Sequence, residues 1–461
     1  MPGCNAVSYY PYPLEGLYEN VCIYKSGYAA KASVNRFYDS AVLPHVFDPA
    51  FLCRQPWVVS NLNVLIVGAS IAGPTAAYWF SKAGANVTII ERFPALRTNG
   101  QGIDIRTAGV TVMRKIPGME AAVRVQTTTM EGISFVQDDG EPFATMRASG
   151  NESAQSLVSE YEIFRGDLAQ ILFDLTKDDS RIRYVFGEQV ASMQQNDEGP
   201  VTVEFANGYA TQQFDLVVAC DGATSRTRAI AYFSIAGDLL EGSKLGQSYS
   251  ATGATPKNRV TLMKIHARNA HDSTAEFRLA AKQGTDALRN FVAKEFAGAG
   301  WKTEQIMAGM METDDLYASE IVQVKVPSLS RGRVVLVGDA GYATGPTGSG
   351  TSAAMAGAYI LAGEINNHAH DLKAGLGAYE ERMRPIITDM QKIPPGVPGI
   401  FAPQTRWGIT LRNVLFRLVA WGMELGSYFS WLGGLFASSF GGDKYGLPDY
   451  EWMSDKDGSH A

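Results

Sequence analysis

The stretch Asn63-Val64-Leu65-Ile66-Val67-Gly68-Ala69-Ser70-Ile71-Ala72-Gly73 decides how this chain is read. Val64 to Val67 is an unbroken apolar run that stops at a glycine, the pattern of a short strand buried on both faces of a parallel sheet. A helical stretch follows from about Ile71 to Lys82 and is stopped by Gly84. Val87-Thr88-Ile89-Ile90 is a second apolar strand, closed by Glu91-Arg92. Strand, glycine turn, helix and strand within about thirty residues predict a βαβ unit.

The turn Gly68-x-Ser70-x-x-Gly73 departs from the G-x-G-x-x-G dinucleotide fingerprint only at its middle glycine. Gly68 permits the tight turn, Gly73 permits close packing of helix on strand, and the small Ser70 lets the backbone approach a pyrophosphate. The helix N-terminus supplies amide donors and a field that favours the diphosphate. Glu91 is placed to accept from an adenosine ribose hydroxyl, and Arg92 either stacks on adenine or lies in solvent. This unit alone leaves FAD and NAD both open.

The choice comes later in the chain. Val334-Val335-Leu336-Val337 is another buried strand, followed by Gly338-Asp339-Ala340-Gly341-Tyr342 and then Gly345-Pro346-Thr347-Gly348-Ser349-Gly350. The second run leads into a helix of small residues from about Gly350 to Asn367. A second glycine-rich helix start, some 270 residues after the first, is redundant for one NAD. It fits the longer FAD, with the diphosphate at one turn and the flavin at the other. Asp339 would accept from ribityl hydroxyls, and the helix start near Gly350 would face a ring that becomes negative on reduction.

Between these landmarks, Tyr161 to Thr176 reads as a helix and Phe214 to Ala219 as a buried strand ending at Cys220-Asp221-Gly222. Residues 236–325 shift to Gly, Ser, Thr and Lys with shorter apolar runs, and read as a separate sheet-based lobe. Leu411, Val414, Leu415, Leu418, Gly422, Leu425 and Leu432 recur at helical spacing opposite Asn413, Arg417 and Glu424. That amphipathic helix is expected to dock on the protein's own lobes rather than enter a membrane. The fold class is therefore α/β: a Rossmann-type FAD-binding domain with an inserted sheet-based substrate domain and a C-terminal bridging helix. The expected division is residues 62–128, 155–235 and 326–395 for the FAD-binding domain. Residues 129–154 and 236–325 form the substrate domain, and 396–461 the bridging helix and tail. Residues 1–61, rich in Tyr and Phe but without a helix or strand period, read as an N-terminal extension, disordered or introduced by a faulty gene model.

Composition excludes several classes. The chain has 461 residues, 46% hydrophobic and 19% charged, and its 40 basic against 47 acidic side chains give a net charge of −7. A mildly acidic chain without a Lys/Arg run is not built to hold nucleic acid. Cys4, Cys22, Cys53 and Cys220 form neither a disulfide framework nor a zinc ligand spacing. His368 and His370 follow Glu364 at helical distances, but read as a solvated helix end, so no metal is expected. The N-terminus is neither a secretory signal nor an acid-poor transit peptide, and a cytoplasmic location is expected.

The motifs resemble one family closely. Gly68-x-Ser70-x-x-Gly73, Cys220-Asp221-Gly222-Ala223-x-Ser225-x-x-Arg228 and Gly338-Asp339-Ala340 resemble the three motifs of FAD-dependent aromatic-hydroxylase-type monooxygenases. Glu162-Ile163-Phe164-Arg165-Gly166-Asp167-Leu168 resembles the family's Arg-containing helix start. Gly102-Ile103-Asp104-Ile105-Arg106 and Gly341-Tyr342-x-x-Gly345-Pro346-x-Gly348-x-Gly350-Thr351 look most like the tetracycline-inactivating branch and its fungal relatives in secondary metabolism. The resemblance covers about residues 62–450 and includes a closing Leu447-Pro448-Asp449-Tyr450.

It implies that Gly68, Ser70, Gly73, Glu91 and Arg92 hold the adenosine end of a non-covalent FAD, with Arg165 near the diphosphate or ribityl chain. Asp221 and Gly222 would serve both FAD and an incoming nicotinamide, and Gly338, Asp339, Pro346, Gly348 and Gly350 the flavin end. Asp104 and Arg106 are the polar candidates beside the flavin, with a purely structural role as their alternative. Tyr342 and Ser349 depart from the residues many members carry, and are expected near the flavin face. The implied reaction is oxygenation of a small organic substrate with NAD(P)H and O2, through a C4a-hydroperoxyflavin. No catalytic acid or base can be named. An FAD-dependent oxidase or dehydrogenase shares every FAD motif; a nicotinamide-dependent dehydrogenase lacks a use for the Gly338-Asp339 loop. A non-catalytic, flavin-binding or membrane-attached partner has only the C-terminal apolar segment in its favour.

Overall fold

In the computed structural model, the described residues are 62–97, 100–127, 132–136, 142–147, 161–195, 199–222, 229–236, 257–264, 272–298, 302–313, 316–320, 322–393, 403, 405–426 and 444–453. The extension expected over residues 1–61 lies outside them. The first described elements are β1 (Asn63–Val67), α1 (Ala72–Lys82), β2 (Asn86–Glu91), β3 (Gly102–Asp104), α2 (Ala108–Lys115) and α3 (Met119–Gln126). They are followed by β4 (Gly132–Val136), β5 (Pro142–Arg147), β6 (Glu162–Phe164), α4 (Arg165–Asp174), β7 (Ile182–Phe186), β8 (Val190–Gln195), β9 (Val201–Phe205), β10 (Gln212–Phe214) and β11 (Leu216–Ala219). Then come β12 (Ala229–Ala236), β13 (Lys257–Lys264), α5 (Asp272–Gln283), α6 (Thr285–Phe296), α7 (Thr303–Glu312) and β14 (Tyr317–Glu320). The last are β15 (Ser330–Arg331), β16 (Val334–Leu336), α8 (Asp339–Tyr342), α9 (Gly350–Asn367), α10 (Leu372–Met390) and α11 (Arg406–Gly426).

Five strands run parallel in the order β16-β11-β1-β2-β7, and the short β15 is added antiparallel beside β16. The unbroken apolar run of β1 follows from its central place. Val64 and Ile66 enter the main core with Ala76 and Phe80 of α1 and Ile360 of α9, whereas Leu65 faces a second core with Ile90, Val203, Phe214 and Val217. Successive side chains point to opposite faces, and both faces are covered, so no polar position interrupts the strand. Helices cover one face; the antiparallel β10-β9-β8 sheet lies against the other.

α9 is buried on every side from Thr351 to Asn366, which its small residues make possible. A Cβ on Gly363 would fall 2.1 Å from the Tyr450 ring, so the C-terminal segment lies directly on this helix. Tyr450 and Trp452 pack there with Tyr359 and Trp79. Glu364 differs from the solvated helix end that its neighbours suggest. It is 3% exposed and accepts from Arg382 Nε at 2.6 Å and the Tyr450 hydroxyl at 2.7 Å, the pairing that a buried carboxylate requires.

Two elements differ from the local pattern. Residues 162–164 form β6, hydrogen-bonded to β3, and the helix begins only at Arg165. The strand β12 is antiparallel to β13 and β14, so the second sheet already includes Ala229–Ala236, ahead of the composition change at residue 236.

α11 begins at Arg406, earlier than its apolar spacing suggests, and its described part ends at Gly426. Its buried side is narrow: Phe416 and Ala420 pack on Phe135, Phe143 and Ala144 of the β4–β5 hairpin. The broad apolar stripe faces outward instead, with Trp407 74%, Leu411 52%, Leu418 58% and Trp421 63% exposed. The expected docking of that stripe on the lobes is therefore not seen among the described residues, where no helix is long and apolar enough to cross a membrane. In denaturant unfolding, Phe416→Ala is expected to cost about 3 kcal/mol and Leu418→Ala within about 0.5 kcal/mol. The reverse ranking would show that the stripe is the packed face.

Candidate functional site

The first glycine turn is set by backbone contact. Gly68 leaves β1 at φ +107°, and a Cβ there would stand 2.6 Å from the Cys220 carbonyl oxygen beyond β11. Its amide donates to the Ile90 carbonyl of β2 at 2.8 Å. At Gly73 a Cβ would come within 1.9 Å of the Gly68 carbonyl oxygen, so the first turn of α1 rests on the turn before it. Glu91 braces the same turn: one carboxylate oxygen accepts from Ala69 N at 3.0 Å and the other from Phe93 N at 3.2 Å. Each oxygen keeps a second lone pair for a ligand. Arg92 is exposed, and its guanidinium lies 5.0 Å from the Phe93 ring centroid, so it stacks on a ring of the protein itself.

The second glycine loop closes on the first. Gly338, at φ +69°, is wedged between α1 and α9; a Cβ there would meet Ala72 at 3.2 Å and Ala354 at 3.4 Å. Asp339 is thereby carried to the mouth of the first turn. Water reaches its carboxylate, yet protein surrounds it on most sides. Burial pushes its carboxyl above the usual carboxylate range, and the nearby Arg165 guanidinium opposes the shift. Arg165, the first residue of α4, donates from Nη2 to Ser70 Oγ at 2.7 Å. Positions Gly350 and Gly348 face two acids: a Cβ on Gly350 would lie 3.7 Å from Asp339 Oδ1, and one on Gly348 3.9 Å from Asp104 Oδ2. Arg106 donates to Asp104 Oδ2 from Nε at 3.2 Å and Nη2 at 3.1 Å, while its amide donates to Ser352 Oγ at 2.9 Å.

The structure thus brings Gly68, Ser70, Gly73, Glu91, Arg165, Gly338 and Asp339 together, and joins them through Gly350 and Gly348 to Asp104 and Arg106. Asp221 and Gly222 lie exposed just past β11, where the Asp221 Cα adjoins Gly68 and a Cβ on Gly222 would meet nothing within 4 Å. Pro346 is exposed on the loop. Tyr342 departs from its expected place near the flavin face. Its ring is 1% exposed and runs back into the core, its hydroxyl 1.8 Å from where a Gly357 Cβ would stand and 3.3 Å from the Tyr379 hydroxyl. Burial pushes the Tyr342 phenol well above its ordinary value, as befits a packing residue.

Sequence reading missed three polar groups here: Ser352, Gln101 and Thr347. The first is signalled only by its place two residues into α9. Gln101 Oε1 and Thr347 Oγ1 are buried with no hydrogen-bond partner, the first beside Arg165, whose amide donates to the Gln101 carbonyl at 2.9 Å. Thr107, at φ +43°, is the non-glycine residue with positive φ among those described. For a β-branched residue that backbone is strained by about 1–3 kcal/mol, and it sits between Arg106 and α2.

These features fit FAD. Neither α1 nor α9 has a side-chain N-cap, so the amides of both first turns are left for a ligand. Two orphaned polar atoms and glycine-walled backbone at both turns complete the fit. The sequence comparison agrees: residues 61–392 match the FAD binding domain family. The chain belongs to the family of FAD-dependent monooxygenases. It is 30% identical over 406 residues to the FAD-dependent monooxygenase asL4 of Sarocladium schorii, covering 78% of this chain and 93% of that protein. It is also 30% identical over 396 residues to the monooxygenase CTB7 of Cercospora beticola, covering 78% and 93%. The crystal structure of tetracycline destructase Tet(51) superposes with a TM-score of 0.63 at 25% identity, covering 85% of this chain and 100% of that one. This FAD-dependent monooxygenase therefore has the α/β architecture of the flavin monooxygenases, and FAD is its cofactor.

Asp339 allows a signed test. Its folded-state carboxyl is raised above the unfolded one, so the native state holds its proton more firmly and stability falls as pH rises through that range. Asp339→Asn is expected to melt with the wild-type apoprotein in acid, below the unfolded carboxyl range. It should melt progressively higher than wild type as pH rises, while binding FAD more weakly. Thermal melts of both apoproteins across pH, with FAD titrations at neutral pH, check this.

Proposed function

We propose that this monooxygenase uses NAD(P)H and O2 to place one oxygen atom in a small organic substrate of secondary metabolism, by hydroxylation or epoxidation. The observation that carries the reading is the convergence of the two glycine turns on Arg165 and Asp339. That arrangement gathers both glycine turns at one site and leaves no second dinucleotide fold for a resident nicotinamide among the described residues. NAD(P)H would accordingly visit the shared surface, and we place the enzyme in the cytoplasm, where that reductant is supplied.

When bound, FAD supplies the electron transfer and oxygen activation. The chain's own part is to bind, orient and exclude water. The amides of Ser70 to Gly73 would meet the diphosphate, with Glu91 and Arg92 toward the adenosine and Arg165 between diphosphate and ribityl chain. Asp339 would accept from ribityl hydroxyls. Pro346, Gly348 and Gly350 would line the flavin end, where the α9 N-terminus stabilises negative charge. Asp104, held by Arg106, stands at the same end. Asp221 and Gly222 border the surface open to the visiting nicotinamide. The sheet β13-β12-β14 with α5 to α7 would form the substrate lobe, and a substrate held between it and the FAD-binding part would be shielded from water.

The purified protein is expected to be yellow, to bleach with NADPH under anaerobic conditions and to recover its bands in air. In labelled O2, products from a panel of aromatic and polyketide substrates should carry one labelled oxygen. Products that lose two hydrogens and gain no label would overturn the reading in favour of an oxidase.

A further inference from the structure

Exposed apolar surface is concentrated on one element. Of the twelve large hydrophobic side chains that stand exposed among the described residues, eight belong to α11. Trp407, Leu411, Val414, Leu418 and Trp421 follow one another at steps of four and three, so they share one face, with Leu415 beside them. Phe416 and Ala420, which pack on the β4–β5 hairpin, lie on the opposite face. The stripe runs about 21 Å along the helix. An apolar patch of that extent marks a surface that another body covers.

The residues around the stripe select that body. Arg406 and Arg417 are exposed about three turns apart, along one margin of the stripe. Arg412 is a third cation of the helix, and no acid precedes Glu424 in it, although the whole chain carries −7. A second copy laid on the stripe would meet this cationic margin with the same acid-free helix. A partner protein of another kind would need hydrogen bonds to fix its register, about one per 100–200 Å². The stripe offers only the two indole N–H groups of Trp407 and Trp421. Tryptophan suits a lipid headgroup boundary, which accommodates both its apolar ring and its N–H. We infer that α11 lies flat on an anionic phospholipid bilayer, with Leu411, Val414 and Leu418 in the acyl boundary and Arg406 and Arg417 among the headgroups. With 21 residues of mixed polarity, the helix rests on that surface and does not span it.

The test is flotation of the full-length protein, purified with its FAD, on phosphatidylcholine vesicles with or without about 30 mol% phosphatidylserine. Wild type should float with the anionic vesicles, and less so as salt is raised. Leu411→Ser/Leu418→Ser should weaken that binding about a hundredfold. Arg406→Gln/Arg417→Gln should weaken it about twentyfold and leave any binding to pure phosphatidylcholine unchanged. Both double variants replace exposed side chains and should melt with the wild type. If the leucine pair fails to fold, Leu418→Ala repeats the apolar test with a loss of about fivefold. Wild type that stays unbound by both kinds of vesicle, or a folded leucine variant that floats as wild type does, would overturn the inference. So would a wild-type dimer in sedimentation velocity that Leu411→Ser/Leu418→Ser turns into a monomer, because the stripe is then a seam between copies.

Discussion

Backbone segments meet at the carboxyl end of β1 with no room for a methyl group at Gly68 or Gly73, and with little at Gly338. The Gly68 turn is pressed on the Cys220 carbonyl, the first turn of α1 is pressed on the Gly68 carbonyl, and Gly338 is wedged between Ala72 and Ala354. Because the parallel sheet sets the spacing of β1, β11 and β16, these contacts are made only if the residues there have no side chain. Their result is that two helix N-termini, from parts of the chain far apart, open onto one recess with their amides unspent.

Charge is arranged around that recess with a stability cost. Asp339 keeps contact with water, yet the protein packed about it raises its carboxyl above the ordinary range, and the Arg165 guanidinium opposes the shift. Asp104 takes two N–H groups from Arg106, whose own amide is tied to α9 through Ser352. Thr107 adds a strained backbone next to it. Sites that hold a polar cofactor keep such features because the ligand completes them.

The distant parts of the chain serve this geometry through packing. Tyr342 fills the notch at Gly357 and Tyr450 the notch at Gly363, so α9 is clamped from two sides while its start faces the recess. The C-terminal segment that carries Tyr450 and Trp452 thus belongs to the core of the cofactor region, although it follows α11 in sequence. On α11, by contrast, Phe416 and Ala420 are the buried residues among those described, and the apolar stripe that the spacing picks out lies on the other side.

The glycine turns, the buried parallel strands and the small-residue helix were legible before folding, because each answers a local demand. A tight turn needs Gly68, a close approach needs Gly73, and a strand covered on both faces needs an unbroken apolar run. Side-chain partners were not legible, since they depend on which elements the sheet order brings together. The sequence places Ser70 and Arg165 in separate motifs, and only the packing of α1 beside α4 joins them. The same holds for Tyr342, which reads as a site residue beside Asp339 but turns into the core because Gly357 leaves space for it. Periodicity located the two faces of α11, but which face is covered was decided by the β4–β5 hairpin, a contact between residues some 270 positions apart whose shape complementarity no local pattern encodes.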